Sequence, residues 1–189
     1  MEFEVTPFDL PGDYAEGVVS LDAFKDHIGV LHADQDGMIA FCRDAAVDMV
    51  ERYCSVYLAE RTGVVCRLEA LPPCLDLGFW PVSQVTALTW LDSEGNAQSG
   101  DPADWRIVRR GEIALKPGRS LPSDVAAGVE VTFSAGFSNA NRPAILVRAV
   151  KMFAAHLFRN REAVGSGAMV AEVPLGFRHM CSQYRMPVI

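Results

Sequence analysis

The chain has 189 residues, half of them hydrophobic, and a formal net charge of −7 at pH 7. That suits one domain, or one domain with an insertion, with enough apolar mass for a core, and the 22% of charged residues argues against general disorder. The acidity excludes tight nonspecific binding to DNA, which needs clustered Lys and Arg to release counterions, and the longest apolar run, near Ile145 to Phe158, is too short and too interrupted by Arg148 and Lys151 to span a bilayer.

Residues 1–19 are acidic and carry Pro7, Pro11 and Gly12, the pattern of an extended arm without packing of its own. They lack the basic and apolar regions of a signal peptide, so a cytoplasm is the expected place of synthesis and use. Ser20 is placed to cap a short helix carrying Leu21, Phe24 and Ile28, which Gly29 ends. Asp34 or Asp36 can cap a longer helix whose apolar stripe is Ile39, Cys42, Ala46, Met49, Val50 and Tyr53. Arg43, Asp44, Asp48, Glu51 and Arg52 fall on its other faces, and its end is expected near Ala59 to Gly63.

The pattern then turns to strands. Val64 to Leu71 reads as a strand, broken by Pro72 and Pro73, and Val85 to Leu91 as another. Asp92 to Asn96 is a turn with Gly95 in its left-handed position. Trp105 to Val108 and Glu112 to Lys116 flank Arg109-Arg110-Gly111 as a hairpin, and Gly128 to Ser134 alternates apolar and polar as a half-buried strand does. Five or six short strands are expected, paired antiparallel because the connections are too short for parallel crossovers.

Pro143 suits the first turn of a third long helix, with a stripe of Leu146, Ala149, Val150, Phe153 and Leu157 and with Arg159 and Arg161 near its end. Gly165 to Gly167 reads as a flexible hinge, and Pro174 as the start of a short helix reaching about Tyr184. The expected fold class is therefore α+β: mainly a helical bundle, with a small antiparallel β-sheet or sandwich inserted between the second and third long helices.

Chemistry is sparse. The five cysteines form no C-x-x-C pair, so structural zinc is not expected and reduced, mostly buried thiols are. The four histidines have no metal-ligand spacing, and His156 has no acidic neighbour before Glu162. There is no G-x-S-x-G and no phosphate-binding Gly-rich loop, and the His32 to Gly37 stretch lacks the closing Glu of a calcium loop. Trp80, Trp90 and Trp105 suit packing in a small sheet better than stacking on single-stranded nucleic acid, because Asp92, Glu94, Asp101 and Asp104 outweigh the nearby arginines. No catalytic, cofactor or metal site is assigned, and the chain is read as a non-enzyme.

Charge is unevenly placed. Met1 to Asp36 holds nine acids and one base, while Arg142 to Ile189 holds seven bases and two acids. Such a head and tail can attract each other within a subunit, between subunits, or across a partner interface.

Taken in order, SLDAFKDHIGV, DQDGMIAFCRDAAVDMVERYC, FWPVSQVTALTWLDSEGNAQ, GVEVTFSAGF, RPAILVRAVKMFAAHLFRNREAV and VPLGFRHMCSQYR resemble the head–tail connector (head-completion adaptor) proteins of long-tailed phages and gene transfer agents, from about Ser20 to Arg185. The resemblance implies a structural subunit of a ring, usually of twelve copies, beneath the portal protein. The ring extends the channel for double-stranded DNA, which passes without sequence-specific contact, and offers a platform to a stopper or tail-terminator protein. It implies assembly in the host cytoplasm, a place in the particle neck, and no membrane. Together with the arm and hinge read from composition, it gives a chain of an arm (1–19), a connector domain (20–164) and a hinge with a docking segment (165–189). By position it sets Arg178, Tyr184 and Arg185 at or near the portal. The readings set against it are another neck or tail-completion protein of similar architecture, and an enzyme with an unrecognised site.

Overall fold

In the computed structural model the described residues are 3–5, 12–160 and 175–185. They fall into two compact units. One is helical and discontinuous in sequence, built from 12–59, 138–160 and 175–185; the other is the β insertion, 60–137, joined by the N-terminal strand. The α+β class and the antiparallel insertion are as the pattern implied.

The helical unit contains α1 (Tyr14–Val18), α2 (Leu21–Ile28), α3 (Asp36–Cys54), α4 (Ala144–Arg159) and α5 (Leu175–Ser182). The Ser20 side chain accepts a hydrogen bond from the Ala23 N–H at 3.2 Å, and Gly29, at φ 74°, ends α2 in the left-handed conformation that glycine adopts without a Cβ clash. Ile39, Cys42, Ala46, Val50 and Cys54 of α3 meet Leu146, Ala149, Val150 and Phe153 of α4 in the core.

Several details of this unit differ from the sequence reading. α3 stops at Cys54 because Ser55 turns left-handed (φ 54°), and the Glu51 carboxylate then accepts the Leu58 N–H at 2.6 Å, diverting the chain out of the helix. Glu51 and Arg43, assigned to outer faces, are buried, while Met49 of the supposed stripe is exposed. Neither aspartate caps α3: Gln35 is the cap residue, and Asp36 lies in the first turn, where it pairs with Lys25 at 2.6 Å. Pro143 sits one position before α4, its carbonyl accepting from Leu146 N–H at 3.0 Å.

The β unit holds two sheets. The first runs β1 (Phe3–Val5), β2 (Arg61–Leu68), β8 (Ala127–Ala135), β4 (Val82–Leu91), β5 (Ala97–Gly100); the second runs β3 (Cys74–Asp76), β7 (Glu112–Leu115), β6 (Trp105–Arg109). A 3-10 turn, Pro102–Asp104, leads into β6. Val129, Val131, Phe133 and Ala135 alternate inward along β8, and Glu130 on the other face pairs with Arg67 directly across β2 at 2.8 Å. The Asp92 carboxylate holds the turn after β4, accepting from the Glu94 and Asn96 N–H groups and from Gln98 Nε2, each at 2.9 Å; these bonds, the Gln98 one first, lower its pKa. Trp80, Trp90 and Trp105 are all buried, as packing residues are.

Seven strands lie between α3 and α4, one or two more than expected, because the short β3 and β5 carry little pattern of their own. The first nineteen residues are not only an arm. Phe3–Val5 pairs antiparallel with β2, Phe3 opposite Leu68, and Tyr14–Val18 is helical with Ala15 and Val18 buried.

Candidate assembly interface

The surfaces available for assembly follow from how the helical unit closes. α5 lies against α3 and α4. Its Phe177 is 1% exposed and meets Tyr53 and Phe153, with ring centroids 5.6 and 5.1 Å away. One turn on, Cys181 is fully buried, and Cys54 Sγ lies 3.7 Å from its carbonyl oxygen. Hydrogen bonding to Cys181 and burial push the Cys54 thiol up, so it stays protonated. α5 thus gives one face to the core.

The three residues set near a partner by position stand differently. Arg178 is exposed on α5. Tyr184 is half-buried in the turn after it, its N–H donating to the Cys181 carbonyl at 3.0 Å. Arg185 is exposed and stacks over the Tyr53 ring at 5.3 Å from its centroid. Tyr184 and Arg185 are adjacent in that turn, while Arg178 belongs to the helix itself. The hinge read at Gly165 to Gly167 lies outside the described residues.

Two further surfaces flank the unit; their charges fall partly within the acidic head and basic tail marked in the sequence, while their apolar residues were not marked as surface. α3 exposes Met38 (44%), Phe41 (70%) and Met49 (38%), residues three and eight positions apart that share its outward face. Acids surround them. Asp48 lies on that face, paired with Arg52 at 2.8 Å, and Asp44 holds Arg43 at 2.8 Å. Arg43 also pairs with Glu16 of α1, so one buried cation serves two carboxylates. Asp34 stands just before the helix, 3.7 Å from His32. A hollow of about 260 Å³ between α1 and α3 adds Tyr14 and Glu51 to the same acidic flank.

The second surface lies where α2 meets the end of α4. A cavity of about 400 Å³ is lined by His27, Met152, Ala155, His156, Arg159 and Asn160. Arg148, Met152, Ala155 and Arg159 succeed one another at steps of four, three and four, hence along one face of α4. Burial lowers the His27 pKa, and the cations Lys151, Arg159 and Arg148 lower it further. The flank is basic.

Among the described residues no group of three or more His, Cys, Asp or Glu is placed to hold a metal ion, and no helix is long and apolar enough to cross a membrane.

No protein-family profile matches the chain, and no curated protein matches it. Solved structures do. The chain is similar over its full length to a chain in the neck of an empty gene transfer agent particle computed with C6 symmetry, at 25% identity, TM-score 0.72 and 97% coverage of that chain. It is similar to a chain in the neck of the native particle computed with C12 symmetry, at 26% identity and TM-score 0.71, again over 100% of this chain and 97% of the other. A chain in the virion of the native gene transfer agent particle matches at 26% identity and TM-score 0.72, with the same coverages. The whole chain, helical unit and β insertion alike, therefore has the fold of a structural component of a gene transfer agent neck.

Proposed function

We propose that this chain is a structural, non-enzymatic subunit of a particle neck, forming a ring beneath the portal protein that extends the DNA channel and carries the next neck or tail protein. The observation that carries this reading is the full-length likeness to chains in gene transfer agent necks, one computed with C12 and one with C6 symmetry. Twelve copies is the ring number that C12 symmetry favours. The net charge of −7 supports a channel wall that repels phosphate, letting DNA slide past without sticking.

In this reading the C-terminal segment meets the portal through Arg178, Tyr184 and Arg185. The exposed guanidinium of Arg178 suits a carboxylate or a carbonyl edge of the partner. Assembly takes place in the cytoplasm of the producing cell, and the mature location is the neck.

The test is reconstitution with purified portal protein, read by negative-stain electron microscopy. The expected image is a ring seated on the portal, and a triple Arg178→Ala, Tyr184→Ala, Arg185→Ala variant should bind it at least tenfold more weakly. A folded chain that stays monomeric with the portal in excess would refute the reading. Cross-links to tail components but never to the portal would favour a different neck or tail-completion role.

A further inference from the structure

We propose that the acidic, apolar face of α3 in one copy seats on the basic α2/α4 flank of a second copy, and that this contact is the repeating unit of the ring. The proposal rests on the ring reading above and names the surfaces that would build it. A cyclic ring uses heterologous contacts, so each copy must present two unlike patches that fit each other. The helical unit presents such a pair. Around Met38, Phe41 and Met49 stand Asp34, Asp44 and Asp48; around the cavity holding Met152 and Ala155 stand His27, Arg148, Lys151, His156 and Arg159.

Each patch mixes one sign of charge with apolar surface. A Phe side chain 70% exposed and two methionines on the same face form an apolar stripe that a folded subunit gains by covering. The basic flank offers a concave apolar floor of Met152 and Ala155 for it. Opposite charges at the margins set register and speed encounter, while a like-charged pairing, α3 on α3 or α4 on α4, is repelled. The contact therefore propagates head to tail and does not close as a twofold dimer.

Duplex DNA is the competing occupant of the basic flank. Three Lys and Arg side chains neutralise few phosphates, and a DNA backbone would leave Met152, Ala155 and the α3 stripe uncovered. A second copy satisfies both features.

Charge reversal tests it on the full chain. Asp34→Lys with Asp48→Lys reverses the acidic flank at exposed sites, sparing Asp44 and its buried partner Arg43. Arg148→Glu with Arg159→Glu reverses the basic flank. Self-association is followed by sedimentation over a concentration series, with and without portal, and folding by thermal melting. Each double variant should lose at least tenfold in self-association with an unchanged melting temperature. The fourfold variant, reversed on both flanks, should regain it, and so should an equimolar mixture of the two double variants, whose copies can alternate with opposite charges at every contact, although neither associates alone. Unchanged association in the folded double variants, or a folded fourfold variant that stays dissociated, overturns the assignment of these flanks. So does a basic-flank variant that loses binding to a duplex DNA probe while still associating. If the wild-type chain itself never associates, alone or on the portal, the ring reading falls with it.

Discussion

Tyr14 and Glu51 stand thirty-seven positions apart in the chain and share a hydrogen bond 2.5 Å long, the phenol donating to the carboxylate. The same hydroxyl accepts from the Ala59 N–H at 3.0 Å, and Glu51 also accepts from Leu58 N–H. One buried carboxylate thereby ties α1 to the segment that leaves α3. Tyr14→Phe should cost about 1–2 kcal/mol and Glu51→Ala about 2–4 kcal/mol, because only the second leaves the Leu58 N–H without its acceptor in a buried place. Urea unfolding of the two variants gives the comparison; equal losses would mean the carboxylate does not hold Leu58.

Arg142 does similar work from the other side of the chain. Its Nε donates to the Leu58 carbonyl at 2.5 Å, Nη1 to the Gly17 and Val18 carbonyls at 2.8 and 3.1 Å, and Nη2 to Asn139 Oδ1 at 2.7 Å. Burial lowers its pKa from the usual arginine value. Arg142→Ala should destabilise by about 2–3 kcal/mol, and Arg142→Lys should recover only part, since an ammonium lacks the planar fork that reaches four acceptors. Melting of the alanine and lysine variants in parallel checks both size and order.

Adjacent residues of α5 differ in burial, Phe177 facing the core and Arg178 exposed. Phe177→Ala should cost about 3–5 kcal/mol, as loss of a buried aromatic does, whereas Arg178→Ala should stay within about 0.5 kcal/mol and show itself only in portal binding. Deleting the segment from Val173 onward should accordingly lower stability and not merely abolish docking. A deletion variant that melts like the parent would mean α5 contributes no core.

His27 gives stability a pH dependence of definite sign. Burial and the neighbouring Lys151, Arg159 and Arg148 hold its pKa below 6.5 in the folded chain. As pH falls through 6.5 the unfolded chain takes up this proton first, so stability is full above that value and declines below it, until the folded imidazole also protonates. Between pH 7.5 and 5.5 the parent should lose more stability than His27→Gln. Parallel slopes for the two would remove His27 from the account.

The periodic elements were legible because periodicity is local. The caps at Ser20 and Gly29, the turn at Asp92 to Asn96 with Gly95 at φ 82°, and the alternation of β8 all stand in the order of residues. What was hidden depends on partners far away in the chain. Arg43 and Glu51 read as surface because charge is usually solvated, yet each is buried by meeting Glu16 or Tyr14 from α1. Met49 reads as part of the buried stripe and stands 38% exposed, on the outward face of its helix. Of the candidate contacts, the exposure of Arg178 suits its assigned role, whereas the packing of Phe177 was invisible: a seven-residue interval to Tyr184 says nothing of which side meets Tyr53 and Phe153.

The interruption of the helical unit by the β insertion orders events during synthesis. α3 ends at Cys54 and its main packing partner, α4, begins at Ala144, so roughly ninety residues must be made in between. At about 5–20 residues per second that is a delay of about 5–20 seconds. Through that interval strands β2 to β8 can pair among themselves, while the core face of α3 waits without its cover. The flank formed by α2 and α4 does not exist until the delay is over. A nascent subunit therefore cannot offer both sides of the proposed contact before α4 has been made, which keeps shorter nascent chains out of the assembly.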